Sequence, residues 1–222
     1  MKQKYNELPM FPVRTFQFKC TEELLEDTYN KVKTLGYRTY NEDGGVGTSA
    51  EIQMNPDFED LHDWFQECID TLHAYEAWHC DRLVVNKSWV NRSDKETGHR
   101  HQPHRHPMSS LSGIFYITDT PEAPTVFLDP IDKREWSAFH LDGGPAVDNK
   151  AFYHGGAGGL IVFPSWLVHA TVENYSKVDR YSIAFNTFPQ GNVNKGGWDE
   201  TMANVTVNNC KKLGPLKLSD YR

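Results

Sequence analysis

Helical and strand-like sequence patterns occupy different parts of this chain. Before residue 80, apolar residues recur at spacings of three and four, which is typical of amphipathic helices. After residue 80, short runs rich in β-branched and aromatic residues follow one another, separated by glycine, proline and asparagine. Two helices followed by many antiparallel strands predict a mainly β fold, a double-sheet roll supported by N-terminal helices.

The two predicted helices have recognisable ends. The first spans about residues 22–35, with Thr21 as its N-cap and Gly36 as its stop signal. The second begins after Asn55, with Pro56 in the first turn, where a missing N–H costs nothing. Its apolar stripe predicts a buried face made of Phe58, Leu61, Phe65, Cys68, Leu72 and Tyr75. We expect both helices to pack on the outside of the sheet.

Strand patterns dominate the remainder of the chain. The strongest cover residues 83–91, 111–117, 125–128, 160–164 and 181–186, and residues 10–18 predict an additional edge strand. The glycine-rich stretches 41–49 and 131–158 are predicted to be connections, and residues 41–49 and 141–159 are candidate lids. The polar tail after Pro189 is predicted to be irregular.

Length and charge narrow the class of protein. A chain of 222 residues suits a single domain over residues 1–222, with a core of about 83–188. The formal net charge of −7 argues against binding nucleic acid through its phosphates. Because no stretch of 18 apolar residues and no signal peptide occurs, we expect a cytoplasmic protein without membrane contact. The four cysteines lack metal or redox spacing and are expected to be free thiols.

Residues 98–107 hold four of the ten histidines. His104 and His106 stand two positions apart, so an extended backbone points both imidazoles to the same side, where they can share a metal ion. His99 and His101 follow a polar run and are expected on a loop. The alternative is a solvated basic loop without a ligand. His169, after the apolar run 160–164, is the best candidate for a third ligand.

A second polar pattern lies on the last strong strand. Arg180, Ser182, Ala184 and Asn186 alternate with large apolar residues, which predicts a small polar face with a guanidinium at its mouth. An arginine can hold a carboxylate through two parallel hydrogen bonds, and Ser182 can add a third. A solvated arginine at a strand end is the alternative interpretation.

Taken together, the motifs resemble those of the non-haem iron, 2-oxoglutarate-dependent oxygenases. The resemblance covers about residues 83–188. It is carried by Trp89-Val90-Asn91, Pro103-His104-Arg105-His106-Pro107, Ser112-Gly113-Ile114-Phe115-Tyr116, Phe163-Pro164-Ser165-Trp166-Leu167-Val168-His169 and Arg180-Tyr181-Ser182. The implied fold is a double-stranded β-helix, that is, a jelly-roll or cupin-like fold. The implied cofactors are Fe(II) and the co-substrate 2-oxoglutarate.

The resemblance also implies a role for each site residue. His104, His106 and His169 would bind Fe(II), and Arg180 and Ser182 would hold the distal carboxylate of 2-oxoglutarate. Tyr116 and Asn91 could hydrogen-bond the co-substrate or the substrate, or be ordinary sheet residues. The implied reaction couples decarboxylation of 2-oxoglutarate to hydroxylation of an unactivated C–H bond in an amino acid, a peptidyl side chain or a small metabolite.

One position departs from the family pattern. Most such oxygenases carry an acidic residue where this chain has His106, so the ligand set here contributes no negative charge. Three histidines also make a good zinc site. A cupin-like zinc protein without oxygenase activity is therefore the alternative function.

Overall fold

The computed structural model of the protein describes residues 13–39, 46–76, 78–95, 100–130, 150–194, 202–217 and 219. Helix α1 spans Glu22–Val32, and the Thr21 side chain accepts a hydrogen bond from the Leu24 N–H. A short 3-10 helix, Pro56–Phe58, is capped by Asn55 and leads into helix α2, Glu59–Glu76. Both helices are confirmed. Helix α1 ends three residues earlier than predicted, because the chain tightens into i→i+3 turns after Lys31 and Val32.

Eleven strands are found in the described part of the chain. They are β1 Phe16–Lys19, β2 Tyr37–Thr39, β3 Val46–Glu51, β4 Cys80–Ser93, β5 Leu111–Tyr116, β6 Thr125–Leu128, β7 Lys150–Tyr153, β8 Gly159–Pro164, β9 His169–Thr171, β10 Arg180–Val193 and β11 Ala203–Val205. Seven form a major sheet in the order β1-β8-β5-β10-β4-β3-β2, to which β11 adds by pairing with β10. A minor sheet has the order β7-β6-β9. All pairings are antiparallel, and the mainly β fold is confirmed.

Helix α2 covers one face of the major sheet. Phe65, which is fully buried, lies with its ring centroid 4.7 Å from that of Phe185 on β10 and 5.7 Å from that of Phe115 on β5. The buried stripe is confirmed except at Tyr75, which is 73% exposed. The Tyr75 ring contacts the Arg14 guanidinium, 5.5 Å away, rather than the sheet.

The alternation along β10 sorts its side chains between two environments. Tyr181, Ile183 and Phe185 pack in the core under α2, as predicted. Phe185 stands opposite Gly113 on β5, where an added Cβ would lie 2.2 Å from the Phe185 ring. This contact accounts for the glycine in the Ser112-Gly113 motif. The other face of β10 looks toward the minor sheet.

Between the two sheets, apolar side chains fill only part of the space. Phe127 of the minor sheet packs edge-on against Phe163 of the major sheet, with ring centroids 5.0 Å apart. This smaller core also contains Ile114, Tyr116, Ile161 and Leu167. The rest of the space between the sheets is an open cavity of about 780 Å³.

Several predicted connections prove to be strands. Residues 46–49 belong to β3, which pairs with β2 and β4, and residues 150–153 form β7, so the predictions of a link and a lid are wrong there. The tail is less irregular than predicted, because β10 continues to Val193 and β11 follows. Residues 10–12, 40–45 and 131–149 lie outside the described residues, whereas the edge position predicted for β1 is confirmed.

All four cysteines are free thiols, as predicted. No helix in the described ranges has both the length and the apolar character needed to cross a bilayer.

Candidate functional site

Three of the predicted histidines come together between the sheets. The backbones of His104 and His169 exchange two N–H···O hydrogen bonds of 2.9 Å, and the His106 N–H donates to the Ser165 carbonyl at 3.0 Å. These bonds fix the histidine turn along β9. One ring nitrogen from each of His104, His106 and His169 lies within 4.8 Å of the other two. We call these residues the three-histidine cluster.

Each imidazole of the cluster has an oxygen acceptor at Nδ1. The distances are 2.8 Å from His104 to the Gln102 carbonyl, 2.6 Å from His106 to Asn186 Oδ1, and 3.1 Å from His169 to the Leu167 carbonyl. Because only an N–H can donate to these oxygens, the proton of each neutral ring lies on Nδ1. The Nε2 lone pairs are then available to a metal ion.

Burial favours the neutral form of two imidazoles of the cluster, those of His106 and His169. Burial lowers the pKa of His169 to about 3, and it also lowers the pKa of His106. A neutral imidazole is the form that binds metals. Three converging imidazole nitrogens suit a divalent transition metal such as Fe(II) or Zn(II), so the residues present fit the expected ion.

A network of hydroxyl groups supports His106 from behind. Asn186 Oδ1, the acceptor of the His106 hydrogen bond, also accepts one from Ser112 Oγ at 3.0 Å. Ser112 Oγ in turn lies 2.8 Å from Ser165 Oγ, which donates to Ser109 Oγ at 2.7 Å. The serines of two sequence motifs thereby fix the orientation of one imidazole.

Arg180 lies deep in the cavity, so the prediction of a guanidinium at the mouth is wrong. Its side chain is only 3% exposed. Nη2 donates to Thr125 Oγ1 at 3.4 Å, the Tyr116 ring centroid lies 5.7 Å from Cζ, and Nε has no hydrogen-bond partner. No carboxylate of the described residues pairs with it, and burial lowers its pKa. An isolated buried cation is unfavourable unless an anion joins it.

The cavity collects most of the predicted site residues. It is lined by all three histidines of the cluster, by Arg180 and Ser182, and by Asn91, which accepts a hydrogen bond from Thr48 Oγ1. Tyr116 stands opposite Ser182 in the sheet, but its hydroxyl is occupied by Thr125 Oγ1 at 2.5 Å. His101 also lines the cavity but is not part of the three-histidine cluster.

Three neighbours of the site were not assigned from the sequence. Asn186 stood out in the alternation of β10, yet nothing in the spacing linked it to His106. Thr125 lies on the minor sheet, 55 positions before Arg180, and carries no sequence signal of that contact. Trp89 belongs to a motif, and its ring stacks on His106 with centroids 5.6 Å apart.

Comparisons with known proteins agree with this geometry. Residues 87–186 match the family described as "Putative 2OG-Fe(II) oxygenase". None of the curated proteins matches the chain. Solved structures share the fold.

Three of these structures illustrate the range of the likeness. HygX from Streptomyces hygroscopicus, with nickel and 2-oxoglutarate bound, is 12% identical with a TM-score of 0.56, covering 80% of this chain and 83% of that one. The epimerase SnoN from nogalamycin biosynthesis is 13% identical with a TM-score of 0.60, covering 92% and 91%. A Pseudomonas putida prolyl-4-hydroxylase is 11% identical with a TM-score of 0.54, covering 81% and 94%.

The family match falls on the strands that carry the cavity residues. It begins at Lys87 on β4 and ends at Asn186 on β10, and it includes the whole three-histidine cluster. Over this segment the chain is similar to the 2-oxoglutarate–Fe(II) oxygenases, and the match covers 100 of its 222 residues.

Proposed function

We propose that this protein is an Fe(II)- and 2-oxoglutarate-dependent enzyme, a single-domain hydroxylase that acts on an unactivated C–H bond of an amino acid, a peptidyl side chain or a small metabolite. The observation that carries the proposal is one cavity that holds both three convergent imidazoles and a buried guanidinium with no carboxylate partner among the described residues. The first arrangement suits a divalent metal, and the second suits a carboxylate.

In this proposal, His104, His106 and His169 hold Fe(II) through Nε2. Their Nδ1 hydrogen bonds keep each ring in the tautomer and orientation that binding requires. When bound, Fe(II) with 2-oxoglutarate and O2 supplies the oxidising power for hydroxylation, releasing succinate and CO2. The protein itself binds, orients and shields the reactants.

Arg180 is assigned to the distal carboxylate of 2-oxoglutarate. Its unpartnered Nε and its weak 3.4 Å contact with Thr125 leave donors free for a bidentate pair. Ser182 lines the same wall and can add a hydroxyl donor. Tyr116 acts on the co-substrate through Thr125, whose hydroxyl it holds, whereas Asn91 faces the cavity and can bind either the co-substrate or the substrate.

A zinc protein without oxygenase activity is the second candidate. The absence of a carboxylate from the three-histidine cluster favours it, because three histidines form a good zinc site. The buried Arg180 favours the oxygenase, since a zinc site alone gives no reason to bury an unpaired cation nearby.

Anaerobic titration separates the two candidates. Adding Fe(II) and then 2-oxoglutarate to the metal-free protein should produce a weak visible charge-transfer band that saturates at one equivalent of each. A zinc-selective protein would stay colourless, and 2-oxoglutarate would show no saturable binding. That second outcome would overturn the proposed function.

The contact between Asn186 and His106 gives a further prediction. Asn186→Ala removes the oxygen that accepts the His106 Nδ1 proton, so the ring loses its fixed orientation. We expect the affinity for Fe(II) or Mn(II) to fall about 10- to 100-fold, the usual effect of losing such a partner. Competition with a chelating dye measures it.

Asn186→Asp is the matched control for this prediction. It keeps an oxygen acceptor at the same place and adds a negative charge near the metal, so affinity should be retained or increased. Unchanged metal affinity in the alanine variant would show that Asn186 does not position His106.

A further inference from the structure

The cavity has a charge opposite to that of the protein as a whole. The chain carries a formal net charge of −7, yet the charged side chains that line the cavity are one carboxylate, Glu51, and four cations. These cations are Lys87, Arg100, Arg105 and Arg180. Such a local field concentrates anions at the site.

Two of the four cations already have an anionic partner or an assigned ligand. Arg180 is assigned to the co-substrate, and Arg100 lies 3.5 Å from Glu173 in an exposed ion pair. Lys87 and Arg105 form no ion pair with any carboxylate of the described residues. Glu51, the single acidic group, accepts a hydrogen bond from Asn209 instead. Lys87 and Arg105 are therefore available to a ligand.

Lys87 is the more informative of these two. It stands on β4 directly opposite Asn186, the residue that holds His106. Its Nζ lies 5.6 Å from the centroid of the Trp89 ring, and that ring stacks on His106. An ammonium group this close to a proposed dication site is repelled by the metal unless an anion lies between them.

The charges of the loaded site lead to the same conclusion. If a carboxylate stood in place of His106, its charge and those of Fe(II), the 2-oxoglutarate dianion and Arg180 would sum to zero. Because His106 contributes no negative charge, the net charge of the loaded site is +1, and Lys87 raises it to +2. Like charges in a partly buried site are costly, so the arrangement favours a substrate that brings negative charge.

We propose that the primary substrate carries an anionic group, a carboxylate or a phosphate, which Lys87 and Arg105 bind at the open side of the cavity. The inference rests on the proposed function, because the metal and 2-oxoglutarate fill the inner part of the same cavity. Binding at Lys87 places the adjoining part of the substrate along Trp89 and next to the three-histidine cluster.

The test uses the protein loaded with Mn(II) and saturating 2-oxoglutarate. Mn(II) accelerates the proton relaxation of any molecule bound near it, so weak probes can be compared by NMR without turnover. The probes are benzoate, phenylphosphonate and the neutral isostere benzamide. We expect faster relaxation for benzoate or phenylphosphonate than for benzamide. Whichever of the two anions shows the larger effect identifies carboxylate or phosphate as the preferred group.

Variants assign the effect to the two cations. Lys87→Met and Arg105→Met should each weaken anion binding about fivefold, the equivalent of about 1 kcal/mol for an exposed ion pair. Lys212→Met, which removes an exposed lysine outside the cavity, should change nothing. Equal relaxation of all three probes, or anion binding that survives both variants, would overturn the inference.

The same samples distinguish this inference from the proposed function. Relaxation of the 2-oxoglutarate methylene protons reports binding of the co-substrate beside the metal. If those protons are unaffected by Mn(II), the proposed function fails. If they are relaxed while the anionic probes behave like benzamide, only the inference about the substrate fails. Loss of probe binding on adding excess 2-oxoglutarate would also overturn the inference, because the probe would then occupy the co-substrate position.

Discussion

Replacing His169 with alanine is expected to lower the affinity for Fe(II) by more than about 100-fold, because losing a ligand should exceed the 10- to 100-fold cost of losing a supporting residue. The fold should survive. The backbone hydrogen bonds between His104 and His169 do not involve the side chain, and they remain in the variant. Metal content after dialysis against Fe(II), together with circular dichroism, measures both effects.

His154→Ala provides the matched control for the loss of metal. His154 is exposed and is not part of the three-histidine cluster, so its removal should leave metal binding unchanged. His101→Ala should also retain the metal. If the His169 variant keeps its iron while the His101 variant loses it, the third ligand is His101 and the assignment of the site is wrong.

Replacing Arg180 with methionine is expected to raise the Kd for 2-oxoglutarate at least about 30-fold while leaving metal content intact. Removing one partner of a buried, hydrogen-bonded charge pair costs about 2 to 5 kcal/mol. Calorimetric titration of 2-oxoglutarate into the Mn(II)-loaded protein gives the affinity. Arg180→Lys keeps the charge but not the bidentate geometry, so its Kd for 2-oxoglutarate should lie between those of the parent protein and the methionine variant.

Arg180→Met weakens binding of 2-oxoglutarate, but it should not lower the stability of the protein. Arg180 is a buried cation without a carboxylate partner in the described part of the chain, so methionine removes a desolvation cost. The variant should therefore melt no lower than the parent protein when 2-oxoglutarate is absent. Arg38→Met, on exposed strand β2, is the control. Loss of metal together with loss of 2-oxoglutarate would contradict the separate roles of Arg180 and the three-histidine cluster.

Local patterns were sufficient to predict most of the fold. The apolar stripe on α2 and the alternation on β10 each result from burial of one face. One-sided burial of this kind sets the spacing of apolar residues along the sequence. The strand at 46–49 was missed because Gly47 resembles a linker residue. In the structure, a Cβ at Gly47 would lie 2.8 Å from Tyr37 Cβ, so this glycine permits a close approach of two strands.

Only those site residues that belong to local sequence motifs could be predicted. His104 and His106 are linked by spacing, and His169 by its place after a buried strand. The contacts of Arg180 with Thr125 and of His106 with Asn186 join residues 55 and 80 positions apart. They depend on how two sheets face each other, and one sequence does not specify that.

The most direct test of the central claim is a crystal structure of the protein grown anaerobically with Fe(II) and 2-oxoglutarate. We predict one metal ion bound by Nε2 of His104, His106 and His169, with the distal carboxylate of 2-oxoglutarate paired to Arg180. A metal bound elsewhere, or 2-oxoglutarate bound away from Arg180, would contradict the proposed site.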